Sequence, residues 1–142
     1  MTPLETLARR INRNGDINDP ETPRPLLTLE EFFEGNSDYS SIGYNFYPDQ
    51  PSPAEFYCLF RSIRERSDVA DVLVEVNQHE VPDEWPSTDT VWIITTVSPD
   101  EVRAMLGERF QPDEIYKGWT EHVRREDYNV PEGMKPLGVW WD

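Results

Sequence analysis

The chain has 142 residues, and its 28 acidic and 13 basic residues give it a net charge of −15 at pH 7. This length suits one domain with its own core, and the 37% content of hydrophobic residues argues against intrinsic disorder. A field of this sign repels a phosphate backbone, so we expect no nucleic-acid partner and favour a basic protein instead.

Three further features favour a cytoplasmic protein with no membrane contact. No apolar run approaches the ~18 residues of a membrane span. The first residues, MTPLETLARRINRNGD, lack the apolar region of a secretory signal. The single cysteine, Cys58, cannot form an intramolecular disulfide, which is typical of proteins from reducing compartments.

Residues 1–25 are predicted to form an N-terminal helix followed by a proline-rich strap over the domain. Leu4, Leu7 and Ile11 recur at helical spacing, and the segment NGDINDPETPRPL after them is rich in turn residues. Residues 26–142 then form a single α+β domain in this interpretation.

The domain begins with a short capped helix in TLEEFFEGN and continues as alternating strands and helices. Ser52 and Ser98, each followed by proline, have the pattern of a helix start. Residues 111–119 suggest one helical turn, and the charged residues after them a further helix. Strands are predicted at SIGYNFY (41–47), VADVLVEV (69–76), TVWIITTV (90–97) and PLGVWW (136–141).

From residue 41 onward this order is βαββαβ, the ferredoxin-like order. It predicts an antiparallel sheet with both helices on one face and the N-terminal helical extension outside it. The strand at 90–97 is apolar on both faces, which favours a central position.

The loop HEVPDEWPSTDT, residues 79–90, places one tryptophan among polar and acidic residues. Trp85 is either an exposed anchor for a partner, as tryptophans often are at interfaces, or a ring that folds back onto the core. Prolines on both sides would stiffen the loop and lower the cost of ordering it. The predicted partner-binding residues are Glu80, Asp83, Glu84, Trp85 and Asp89.

Between Arg66 and Arg103 the sequence contains nine acidic residues and no lysine or arginine. One interpretation is an ordinary solvated surface; the other is a single acidic face that steers a basic partner. We take the second as the working hypothesis. It requires these carboxylates to gather on one side of the molecule.

The catalytic alternative rests on Glu75, His79 or Cys58, two of which would have to converge in an apolar cleft beside the sheet. Glu75 either lies in an apolar pocket that raises the pKa of its carboxyl or faces water on an edge strand, and we favour the edge strand. No metal-ligand spacing, glycine-rich phosphate loop or nucleophile motif is present, so we expect no metal and no cofactor. A binding protein is favoured over an enzyme.

The segments LEEFFEGN, WPSTDTVWIITT and QPDEIYKGW resemble an uncharacterised bacterial family of small acidic proteins. The resemblance brings no catalytic signature, and the character is similar to that of immunity proteins that bury the basic site of a toxin. We therefore expect a non-catalytic, immunity or antitoxin-type inhibitor. The alternatives are a small-molecule-binding domain or hydrolase, and a homo-oligomeric protein.

Overall fold

A computed structural model describes residues 1–46 and 49–142, and within these ranges a five-stranded antiparallel sheet carries four helices. The strands are β1 (Leu26–Leu27), β2 (Val69–Glu75), β3 (Thr90–Thr95), β4 (Glu114–Lys117) and β5 (Lys135–Trp140). The helices are α1 (Pro3–Ile11), α2 (Leu29–Phe33), α3 (Pro53–Arg64) and α4 (Pro99–Leu106), and a 3-10 turn spans Glu108–Phe110.

Neighbouring strands follow the order β1-β2-β3-β5-β4, so β3 lies in the middle of the sheet. All six residues of β3 are buried, which confirms the central position predicted from its apolar pattern. β2 is flanked by β1 and β3 and is therefore an inner strand rather than an edge.

Each α-helix begins at a serine or threonine whose side chain accepts a hydrogen bond from the N–H three residues on. The caps predicted at Thr28, Ser52 and Ser98 are all present, and Thr2 provides a fourth at α1. Such caps satisfy backbone donors that have no partner inside the helix. Three of the four helix starts in the described residues were therefore predictable from single capping residues.

The two faces of the sheet are covered differently. The larger cluster includes Phe56 and Phe60 of α3 and alternate residues of β2 and β3. Leu7, Ile11 and Ile17 are buried in that same cluster, so the N-terminal segment packs on the core. On the opposite face, Leu26, Leu73, Trp92 and Ile94 are covered by side chains from β4 and the segment between β4 and β5.

The predicted α+β class with an antiparallel sheet is confirmed, but its βαββαβ connectivity is not. Within 41–47, Ile42 makes one bridge to Thr88 and the chain then turns; Tyr47 lies outside the described residues. Gly43 adopts φ +65° with the Phe56 ring against its backbone, a conformation that suits glycine and ends an extended run.

Two other segments also differ from prediction. Residues 114–117 form β4 instead of a helical turn, because Ile115 pairs with Val139 along the edge of β5. Residues 120–127 contain no helix; Arg125 instead bridges Arg24. No helix in the described part of the chain has the length and hydropathy needed to cross a membrane.

Candidate functional site

The loop between β2 and β3 forms one wall of a cleft of about 310 Å³, which we call the loop cleft. Side chains that line it from the loop include Glu80, Val81 and Glu84, and Tyr44 lines it from the segment between α2 and α3. Tyr44 is 59% exposed and Val81 48% exposed. The cleft therefore combines accessible apolar groups with unburied carboxylates.

Hydrogen bonds hold this loop in place. The His79 Nε2 lies 2.7 Å from the carbonyl oxygen of Glu84. Asn18 accepts from the His79 N–H and donates to its carbonyl oxygen, at 2.8 and 3.1 Å. These contacts tie the loop to itself and to the N-terminal strap, so a partner would meet a preformed surface.

Trp85 takes the second of the two predicted positions. Its ring is half-buried against the core cluster, and its indole N–H donates to the carbonyl oxygen of Phe32 at 2.8 Å. It also lines the loop cleft. Trp85 thus supports the cleft from below, whereas Tyr44 and Val81 offer the exposed apolar area.

The predicted partner-binding acids are placed unequally. Glu80, Asp83 and Glu84 are exposed on the loop, and Glu80 and Glu84 line the cleft. Asp89 is half-buried outside the cleft, where its carboxylate accepts from the Thr90 hydroxyl at 2.8 Å. Its carbonyl oxygen accepts from the N–H of Trp141, so Asp89 extends the pairing of β3 with β5 by one hydrogen bond beyond Thr90 and Trp140.

The expectation of a single acidic face is wrong. Because Val69 pairs with Thr95 and Glu75 with Thr90, Asp68 and Glu101 lie at one end of the β2–β3 hairpin and Glu80 to Glu84 at the other. Seven strand residues separate these ends by about 20 Å. Asp68 is also paired with Arg66 at 3.0 Å.

Glu75, the acid between the two groups, is 3% exposed and fully engaged. It accepts from Arg24 at 2.8 Å, from the Trp92 indole N–H at 2.9 Å and from Arg125. The Arg125 guanidinium also lies 4.9 Å from the centre of the Trp92 ring. Glu75 is therefore neither on an edge strand nor facing water, and we call this group the Glu75 centre.

A second cluster, the chain-end clasp, joins the N-terminal helix to the segment before β5. The Glu126 carboxylate accepts from Arg10, Arg13, Asn14 and the N–H of Leu26, at distances of 2.7 to 3.1 Å. Burial opposes its ionisation, but these hydrogen bonds and the charge of Arg10 lower its pKa to about 2.

The sequence interpretation missed both clusters, and only one weak signal was available. Arginine pairs stand near each chain end, at LARRINR and HVRRED, but nothing in the sequence connects them to Glu75 or Glu126. The contacts span up to 116 residues along the chain. Their partners are fixed only by the fold.

The structure places the three catalytic candidates apart from one another. His79 lines the loop cleft, while Glu75 and Cys58 do not. Glu75 is occupied by two arginines on the face opposite the helices, and Cys58 is exposed on α3. These three groups do not meet in one pocket.

Comparison with known proteins gives the family. The model described as "Uncharacterized protein YfbO family" matches residues 2–139. This chain belongs to that family. It is 47% identical over 142 residues to "Uncharacterized protein YfbO" of Escherichia coli (strain K12), covering 100% of both chains, which confirms the expected uncharacterised bacterial family. No solved structure matches.

Proposed function

We propose that this protein is a non-catalytic binding domain for a basic protein partner, acting in the cytoplasm as an immunity or antitoxin-type inhibitor. The observation that carries the proposal is the loop cleft, where Tyr44 and Val81 are exposed beside Glu80 and Glu84. An apolar centre bordered by charge is the usual composition of a protein interface.

The negative charge of the protein supports a positively charged partner. The loop adds Glu80, Asp83 and Glu84 to a molecule of net charge −15, and complementary fields chiefly raise the association rate and select the partner. The proposal is narrower than an acidic face running from Asp68 to Glu101. Recognition is assigned to one end of the hairpin only.

The apolar side chains of the loop cleft are assigned two different roles in binding. We assign Tyr44 and Val81 to direct contact because they are exposed, and Trp85 to supporting the cleft because its indole N–H is already bonded to Phe32. Tyr44→Ala is therefore expected to cost at least ~2 kcal/mol of binding, as interface hot spots do.

A photo-crosslinking amino acid at Val81 tests the proposal in living bacteria. The expected product is a covalent complex with a basic protein, absent when the crosslinker is placed at Ser62, an exposed residue of α3. A crosslink only to a second copy of this chain would replace the proposal with a homo-oligomer, which light scattering after size exclusion would verify.

The captured partner then allows a charge test with a matched control. Glu80→Gln with Glu84→Gln should slow association at least tenfold at low salt, because both charges border the contact surface. Asp100→Asn with Glu101→Gln removes the same charge from the opposite end of the hairpin and should change the rate less than twofold. Equal effects of the two pairs, or an association rate independent of salt, would refute steering by the loop.

A further inference from the structure

A second cleft, separate from the loop cleft, is lined by more cationic than anionic side chains. It has a volume of about 660 Å³, and four of the protein's arginines line it: Arg10, Arg13, Arg124 and Arg125. Two carboxylates, Glu126 and Asp127, line it as well. In a protein of net charge −15, a cleft with more arginines than acids is an unusual local environment.

The arginines of this cleft are not all consumed by the fold. Arg10 and Arg125 are committed to Glu126 and Glu75. Arg13 gives one N–H to Glu126 at 3.1 Å and its side chain stays 61% exposed. Among the described residues, the hydrogen bond recorded for the exposed Arg124 side chain is to the carbonyl oxygen of Glu21, at 3.1 Å.

Glu126 has no acceptor position left for the other N–H groups of Arg13 and Arg124. Its carboxylate already accepts from Arg10, Arg13, Asn14 and Leu26, which fills its lone-pair positions. In the part of the chain that the structure describes, Arg13 bonds to no carboxylate besides Glu126 and the Arg124 side chain bonds to none, although Asp127 also lines the cleft. Guanidinium groups match the geometry of carboxylate and phosphate oxygens with paired hydrogen bonds.

We propose that this cleft binds a small, multiply charged oxyanion, a compound carrying phosphate or carboxylate groups, held by Arg13 and Arg124. Arg10 and Arg125 also line the cleft but are held by ion pairs with Glu126 and Glu75, so the ligand is assigned to Arg13 and Arg124. The net negative charge of the molecule does not prevent this, because at physiological salt charges beyond about 8 Å are largely screened. The site is independent of the loop cleft and of the function proposed there.

Thermal unfolding with sodium pyrophosphate and with sodium citrate tests the site, each against sodium chloride of equal ionic strength. At ten times the dissociation constant either ligand should raise the Tm by about 4 °C. A response to pyrophosphate alone assigns the site to phosphate compounds, and a response to citrate alone assigns it to carboxylates. No rise above the chloride control with either anion would overturn the proposal.

Arginine variants distinguish binding at this cleft from a general attraction of anions to positive charge. Arg13→Gln and Arg124→Gln should each weaken binding at least tenfold in calorimetry. Arg9→Gln removes the same charge from α1 outside the cleft and should change the dissociation constant less than twofold. An equal loss with Arg9→Gln would overturn the proposal, and the Tm of each unliganded variant verifies that it is folded.

Discussion

Glu75 and Glu84 belong to the same acidic stretch of sequence, yet their surroundings are opposite. Glu75 is buried at the Glu75 centre between Arg24 and Arg125, whereas Glu84 is exposed at the rim of the loop cleft. A charge neutralised inside the fold contributes to architecture but little to the outer field. Only the exposed acids can steer a partner, so net charge alone does not locate a binding surface.

The largest effect should come from breaking the Glu75 centre. Arg125→Ala leaves the buried Glu75 side chain with one arginine instead of two. Because Arg24 and the Trp92 indole still hold Glu75, the loss measured by urea unfolding should be about 3 kcal/mol, the lower end of the cost of leaving a buried charge without its partner. Adding Glu75→Gln should restore part of the loss, and a cost below about 1 kcal/mol for Arg125→Ala would contradict the assignment.

The second largest effect should be on the pH dependence of stability, through Glu126 in the chain-end clasp. The pKa of Glu126 is lowered from 4.5 to about 2, so its stabilisation is present above about pH 4.5 and is lost as the pH falls toward 2. The loss is on the order of 3 kcal/mol. Free energies of unfolding between pH 5 and pH 2 should therefore fall less steeply in Glu126→Gln.

Glu30 provides the comparison for that measurement. Hydrogen bonds from Arg64 lower its pKa to about 2 as well, but its side chain is 42% exposed, against 12% for Glu126. Solvent screens an exposed pair. Glu30→Gln should flatten the pH dependence less than Glu126→Gln, and the reverse ranking would contradict the importance given to burial.

A smaller loss of stability is expected at Trp85, which supports the loop cleft. Trp85→Phe keeps the aromatic ring but removes the N–H donated to the Phe32 carbonyl oxygen. The loss should be about 1 kcal/mol, typical of one hydrogen bond, by urea unfolding. A variant as stable as the parent would show that the ring, rather than this bond, fixes the position of Trp85.

The smallest change in stability should occur at the rim. Glu80→Gln and Glu84→Gln alter exposed carboxylates, and substitutions of that kind usually stay within about 0.5 kcal/mol. Unfolding measurements that show a larger loss would mean that these acids support the loop. The exposed acids of the loop and the buried Glu75 would then both stabilise the fold, and the distinction between them would fail.

Local signals predicted much of the fold. The predicted serine and threonine caps located the starts of α2, α3 and α4, and apolar runs located β2, β3 and β5. β4 escaped notice because its four residues are ordered by pairing with β5. At 41–46 the alternating pattern predicted a strand, but the conformation of Gly43 turns the chain instead.

The candidate site was only partly predictable, because contacts between residues far apart in sequence determine its geometry. The acids and tryptophan of the loop were visible in sequence, but whether Trp85 faces solvent depends on Phe32, far along the chain. Tyr44 was assigned to a strand and became an exposed member of the cleft. The partners of Glu75 lie about 50 residues away on either side, beyond any local pattern.

The chain-end clasp also has a consequence for the order of folding. Arg10 and Glu126 are separated by 116 residues, so the contact between them closes a very long loop. The entropy of closing such a loop must be lost before the contact can contribute, and contacts of long sequence separation slow folding. We therefore expect the clasp to form late, after the β2–β3 hairpin, whose pairing residues are close in sequence.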